Sequence, residues 1–217
     1  MSLERAPFPV VIAAPSGAGK TTIARALVER NDDIVFSVSA TTRAPRPREM
    51  PGQDYHFVDD DTFDRMIAAN ELAEWAVVHG KRYGTLRREV TRALEQGKLV
   101  MLDIDVQGAR QVRRVFVDAL LIFVVPPSVE ELNRRLSERA SEDRQERRRR
   151  LENARREIAA VEEFDHVVVN DDLETAVTSV EEILRAESSR VSRLRNADAF
   201  VASFDRELRE LLKRSAG

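Results

Sequence analysis

An α/β fold built on a mainly parallel central sheet is what this sequence predicts, and three observations predict it. Strand-like and helix-like stretches alternate from end to end, the pattern of strands joined by helical crossovers. The apolar runs are continuous rather than alternating, and Leu120-Leu121-Ile122-Phe123-Val124-Val125 suits a strand covered on both faces. A glycine loop ending in Gly19-Lys20-Thr21 stands between the first strand pattern and the first helix pattern.

The first strand is read at Val10–Ala14 from its apolar run. The loop that follows is Ala14-Pro15-Ser16-Gly17-Ala18-Gly19-Lys20-Thr21, a phosphate-binding loop with alanine in place of the motif's first glycine. Each residue type has a physical task there. Gly17 and Gly19 let backbone N–H groups turn toward phosphate oxygens with no Cβ in the way. Lys20 supplies a point charge for the outer phosphates, and the Thr21 hydroxyl is a ligand for Mg²⁺. The next helix, Thr21–Arg30, carries Ile23, Ala24, Leu27 and Val28 on one side, and its N-terminus adds partial positive charge. The fold is therefore expected to have a P-loop NTPase core.

The remaining strands are expected at Ile34–Ser39, Leu99–Ile104, Ala119–Val125 and His166–Val169. Helices are expected at Leu86–Gln96, Val106–Val115, Val129–Glu138, Arg144–Glu162 and Leu173–Arg185. Two stretches break the alternation. Ala40 to Gly84 is polar, turn-rich and dense in Pro, Arg, Asp and Tyr, and reads as an inserted subdomain. Arg134 to Arg156 is a run of charges, read mainly as a solvated helix face with i,i+4 pairs such as Glu146 with Arg150 and Glu152 with Arg156. In the tail from Glu187 to Gly217, Val201, Phe204, Leu208, Leu211 and Leu212 have the spacing of one amphipathic helix. That helix packs on the core or on a second copy in a homo-oligomer, and the pattern does not choose.

Composition excludes several function classes. The 217 residues suit one domain, with room for an appendage. A net charge of −3 argues against a general binder of nucleic acid or membrane surfaces. With no cysteine there is no disulfide, thiolate catalysis or structural zinc. His56, His79 and His166 are scattered and read as packing or solvated side chains. No apolar run reaches the roughly 18 residues of a membrane span, and the segment before Pro9 lacks a signal core. A cytoplasmic protein is expected.

A second anion site is legible beyond the loop. In Thr41-Thr42-Arg43-Ala44-Pro45-Arg46-Pro47-Arg48-Glu49, proline stiffens the backbone around Arg43 and Arg46, and Tyr55 follows soon after. Two guanidinium forks and a phenol make a cradle for one phosphate group.

With those residues in place the chain resembles guanylate kinases, closely the bacterial ones. The resemblance is carried by Ala13 to Thr21, Ser37-Val38-Ser39, Thr41-Thr42-Arg43-Ala44-Pro45-Arg46, Gly52 with Asp54-Tyr55, Glu74-Trp75-Ala76 and Tyr83-Gly84-Thr85. It continues through Leu102-Asp103-Ile104-Asp105 with Gln107-Gly108, Pro126-Pro127-Ser128 and Val169-Asn170-Asp171-Asp172, spanning about Phe8 to Glu187 in order. Alanine at position 14 is usual in bacterial members.

The resemblance implies a kinase domain over 8–187, with a GMP-binding insertion at about 38–88, a mobile lid at about 137–155 and a C-terminal helical extension over 188–217. Carried over residue by residue, Arg43, Arg46, Tyr55 and Tyr83 hold the GMP phosphate. Ser39, Glu74 and Thr85 face the guanine, with Glu49 and Asp103 nearby. Arg135, Arg139 and Arg150 match lid positions that reach the transferring phosphoryl group, and Asn170 matches a residue near adenine. The lid departs from the family pattern at Glu138-Arg139-Ala140, where Gly-Arg-Gly is usual, so the hinge there is expected to be stiffer. The activity implied is ATP plus GMP (or dGMP) giving ADP and GDP with Mg²⁺. The two rivals are a ribose 1,5-bisphosphate kinase and a non-catalytic guanylate-kinase-like binding module.

Overall fold

The computed structural model describes residues 3–78, 80–138 and 144–215; His79, Arg139 and Ala140 lie outside the described residues. The first strand, β1 (Pro9–Ala13), is buried along its whole length and leads through the glycine loop into helix α1 (Lys20–Arg30). It is the middle strand of a five-stranded parallel sheet. The other members are β2 (Ile34–Phe36), β7 (Leu99–Asp103), β8 (Leu120–Val125) and β9 (His166–Val169), in the order β2-β7-β1-β8-β9.

Alternation along β1 builds a core on each face. Val10 and Ile12 pack with Ile23 and Leu27 of α1 and with Val177 and Val180 of α7 (Leu173–Ser188). Val11 turns the other way, onto Val90 of α3 (Arg87–Glu95) and Val112 of α4 (Val106–Val115). Burying each such side chain stabilises the fold by about 1.5–3 kcal/mol, which is why the apolar runs have no polar face. The parallel register sets Ile12 beside Asp103, so the end of β1 and the end of β7 meet at one edge. In open α/β sheets that carboxyl edge is where ligands bind.

Between β2 and α3 the chain builds a second sheet of four strands, in the order β4-β3-β6-β5. These are β3 (Ser39–Thr41), β4 (Tyr55–Phe57), β5 (Leu72–Val78) and β6 (Lys81–Leu86). Helix α2 (Asp60–Ala68) covers it, with Ala40, Phe63, Leu72 and Leu86 as a small separate core. Beyond β8 lie α5 (Val129–Glu138) and α6 (Arg144–Ile158), which meet through Leu132, Leu136 and Ala154. The chain ends in α8 (Ala197–Ser215).

Of the boundaries that differ from the sequence expectation, three change the path of the chain. The strand expected at Ile34–Ser39 divides: β2 ends at Phe36, and Ser37 and Val38 carry the chain into the second sheet. Ser37 N–H still donates to the Met101 carbonyl at 3.3 Å, the last tie to the first sheet. The helix expected through Glu162 stops at Ile158, and a 3₁₀ turn at Val161–Glu163 follows. That turn delivers Phe164 onto Phe123, with ring centres 4.9 Å apart. The tail is not one helix from Glu187. Here α7 runs to Ser188 and a 3₁₀ turn, Val191–Arg193, buries Arg193 against Glu187 at 2.8 Å and over the Phe8 ring at 4.1 Å. Only then does α8 begin, and Val201, Phe204, Leu208, Leu211 and Leu212 are all exposed on it. No helix among the described residues is long and apolar enough to cross a membrane.

Candidate functional site

The glycine loop is shaped by its backbone. Gly17 and Gly19 have φ of +90° and +92°, the left-handed region where a side chain is strained. A Cβ on Gly19 would also stand 2.2 Å from Asn170 Nδ2, which donates to the Ala18 carbonyl at 2.7 Å. Ala14, Pro15 and Ala18 are buried and form the floor, while Ser16 is exposed at the rim. Helices α2, α4 and α7 each begin on an aspartate (Asp59, Asp105, Asp172) that accepts a backbone N–H of the first turn. Helix α1 begins on Gly19, with no side-chain cap and no acid in its first turn. Its N–H groups and partial positive charge are left for an outside anion.

Lys20 is already placed. Its ammonium pairs with the Asp103 carboxylate and donates to the Ile104 carbonyl at 3.0 Å. Thr21, next along, is exposed. Glu157, in the last turn of α6, accepts a 3.3 Å hydrogen bond from Ser16 N–H. Burial pushes its carboxyl above the ordinary carboxylate range, partly opposed by that amide. The sequence reading missed Glu157; its only signal is the seven-residue helical spacing from Arg150, which is half-buried on the same helix.

A cavity of about 340 Å³ opens beside the loop, lined by Gly17, Gly19, Thr22, Arg135, Asn170, Asp171 and Leu173. Arg135 is held by Glu131 at 2.6 Å and donates to the Asn170 carbonyl at 3.0 Å. Hydrogen bonds from Arg134 and Arg135 lower the Glu131 carboxyl to about 2. Arg135 and Asn170 therefore meet at the loop. Arg139 falls outside the described residues.

The second sheet assembles the other candidates by register alone. Tyr55 pairs with Ser39, Ser39 with Thr85, and Thr85 with Glu74, so one row of residues crosses all four strands. An irregularity between Leu72 and Glu74 shifts β5 into that alignment. Glu74 is only 5% exposed; it accepts from the Thr85 hydroxyl at 2.6 Å and from Thr85 N–H at 3.1 Å. Burial drives its carboxyl upward, and the Thr85 hydrogen bond acts against that. Gly108 of α4 comes so close that a Cβ there would stand 2.9 Å from Glu74 Oε2.

Tyr83 lies two residues from Thr85 on the same strand face, edge-on to Tyr55 with ring centres 5.9 Å apart. The Arg43 guanidinium sits 5.4 Å from the Tyr55 ring centre and is gripped by both Glu49 oxygens at 2.8 and 2.9 Å. That grip holds Arg43 above its ordinary pKa. Glu49 also accepts from Arg46 N–H at 2.7 Å, while the Arg46 side chain is exposed. Glu49 thus organises the arginine pair. A second cavity, of about 410 Å³, is lined by Ser39, Tyr55 and Thr85 from this sheet and by Thr21 and Asp103 from the loop side. Larger cavities near Arg30 and near His166 contact neither set of residues, so volume does not pick the site.

The donor set for a metal is oxygen: the Thr21 hydroxyl and the Asp103 carboxylate. Among the described residues there is no group of three or more His, Cys, Asp or Glu that could hold a metal ion. Such a half-set fits Mg²⁺ arriving with nucleotide phosphates, which supply the missing oxygens.

Comparison with known proteins identifies the family. The sequence model of the family described as guanylate kinase matches residues 6–187. A guanylate kinase of Leifsonia xyli subsp. xyli is 51% identical over 176 residues, covering 81% of this chain and 69% of that protein. One from Nitrobacter hamburgensis is 43% identical over 207 residues, 95% of this chain and 94% of that one. The crystal structure of guanylate kinase from Anaplasma phagocytophilum matches the fold with a TM-score of 0.74 at 35% identity, covering 93% of this chain and 96% of its own.

Proposed function

We propose a phosphoryl transfer from ATP to GMP, from one premise: the chain belongs to the guanylate kinase family. The observation that carries it is the row Tyr55–Ser39–Thr85–Glu74, whose first three members line the same cavity as Thr21 and Asp103. A guanine-nucleotide site and a phosphate loop then share one space. The second sheet is the acceptor unit, about 38–88 within a kinase domain of 8–187. The stretch at about 137–155 is the lid, and 188–217 is an extension.

Guanine offers adjacent N1–H and 2-amino donors, and Glu74 Oε2 is the carboxylate oxygen that Thr85 leaves unoccupied. The Thr85 hydroxyl faces the guanine by holding Glu74 in place, the Ser39 hydroxyl stands ready for the guanine oxygen, and Arg43, Arg46, Tyr55 and Tyr83 for the acceptor phosphate. The amides of Ser16 through Thr21 and the Lys20 ammonium hold the donor phosphates, with the base and sugar in the cavity by Asn170. Thr21, with Asp103 beside it, is the residue to hold Mg²⁺, which when bound neutralises phosphate charge.

An acceptor phosphate oxygen forms a bond to the γ-phosphorus while the bond from that phosphorus to the β–γ bridging oxygen breaks, leaving ADP and GDP. The acceptor is already ionised at neutral pH, so positioning and charge neutralisation suffice and no strong base is needed. Arg135 and Arg150, with Arg139, are the lid cations for the equatorial oxygens, and closure excludes water. The same cavity suits dGMP, and the role is purine nucleotide metabolism in the cytoplasm. A coupled assay comparing GMP, AMP and ribose 1,5-bisphosphate tests this. GMP should be preferred over AMP by about 10⁴-fold in kcat/KM, because AMP leaves the buried carboxylate unpaired. Equal turnover with AMP, or faster turnover with the sugar bisphosphate, would overturn it.

A further inference from the structure

Helix α1 carries three cations, and only two have partners. Lys20 is held by Asp103, and Arg30 by both oxygens of Glu174 at 2.5 and 2.6 Å. Arg25, between them, makes no hydrogen bond or ion pair among the described residues. It lies four residues beyond Thr21, so the two share a helix face. Both line the 410 Å³ cavity, together with Ser37, Tyr55 and Thr85.

The acids of that wall are already engaged. Asp54 accepts from Met50 N–H at 2.7 Å, and Asp103 takes Lys20. Ser37 adds a second observation. Its hydroxyl is buried and has no hydrogen-bond partner, a deficit that native structures rarely leave unfilled. An unpaired guanidinium and an unsatisfied hydroxyl thus share one wall of the acceptor cavity, and both come from the parallel-sheet half of the molecule. Arg43, which lies outside that lining, is committed to Glu49.

We propose that Arg25 and Ser37 bind the acceptor nucleotide from the donor half, Arg25 through its phosphate group and Ser37 through a hydrogen bond to the same molecule. This rests on the acceptor assignment above and extends it. The acceptor is gripped from two sides, so its phosphate is fixed relative to the loop as well as to the second sheet.

The test is direct titration of the full chain with GMP, guanosine and ADP. Wild-type binding of GMP is measured first, so a failure of the acceptor assignment shows there rather than in the variants. Arg25→Gln should weaken GMP by about five- to twentyfold, with guanosine and ADP held within about twofold. Arg25→Lys should recover part of the loss, since it keeps the charge and loses only the fork. Ser37→Ala should weaken GMP by about two- to fivefold. GMP affinity unchanged in Arg25→Gln, or an equal loss for guanosine or ADP, overturns the assignment.

Discussion

Replacing Gly108 with alanine should leave the protein folded and take away its hold on GMP. Gly108 sits in the first turn of α4, where its N–H donates to Asp105 at 2.7 Å. Alanine there gains up to about 1 kcal/mol of helix propensity over glycine. The new Cβ would stand 2.9 Å from Glu74 Oε2 and 3.2 Å from Ile104 Cβ. The first distance is too short to persist, and the carboxylate is the softer of the two neighbours. It cannot swing into water, because Thr85 anchors its other oxygen at 2.6 and 3.1 Å. The movement available is a rotation of Oε2 about that anchor, away from the guanine donors. A hydrogen bond to a charged group contributes about 1.5–3 kcal/mol, so GMP affinity should fall about 10- to 150-fold. Calorimetric titration with GMP and with ADP, beside a Tm measurement, separates the outcomes. Unchanged GMP affinity would refute the placing of Glu74 against guanine. A large fall in Tm would refute the premise that the carboxylate yields before the helix does.

Lys20→Ala should lower kcat by about 10² or more at saturating nucleotides, since the ammonium acts most strongly on charge developing in transfer; turnover near wild type would remove Lys20 from the donor site. Arg46→Lys keeps charge but loses the planar fork, so calorimetry should show weaker GMP binding and unchanged ATP binding. Glu74 also predicts a pH dependence. Burial raises its pKa above the ordinary 4.5, so GMP affinity should fall as pH drops through that raised value, and Glu74→Gln should abolish this dependence. The stability sign is opposite: the folded state binds the proton more tightly, so the contribution of Glu74 is largest below pH 4.5 and is lost as pH rises through the raised pKa.

The parallel sheet was legible because its strands are buried on both faces, and continuous apolar runs have few other uses in a chain of this kind. Helices Val106–Val115 and Val129–Glu138 fall where their periodicity put them. The second sheet was legible only as an interruption. Its three-residue strands β3 and β4 are too short for a period to register, and what aligns Glu74 with Thr85 is a β-irregularity that leaves no mark in sequence. Motif residues such as Lys20, Arg43, Glu49 and Asp103 could be named in advance, but not that Lys20 pairs with Asp103 and Arg43 with Glu49. Glu157, Arg25, Ser37 and Gly108 matter through approaches across more than one element, and spacing along the chain carries no record of those.

Those partners give the site its physical character. Lys20 rests on Asp103, and Arg43 on Glu49, with each side chain mostly withdrawn from water. A cation left bare in such surroundings would be costly, so the internal carboxylate offsets that cost and holds it near its working position. Substrate binding is then an exchange of anions: a phosphate group must offer more than the carboxylate it displaces or joins. Affinity gained by exchange is smaller than a naked contact would supply, because the first pair has to be loosened. Selectivity gains in return. A singly charged or neutral molecule of the right shape cannot compete with Asp103 or Glu49, whereas a phosphate carrying two charges and several acceptor oxygens can. The serine amide tied to Glu157 extends the same logic to the loop, where an internal carboxylate occupies an N–H that the proposed donor site assigns to phosphate.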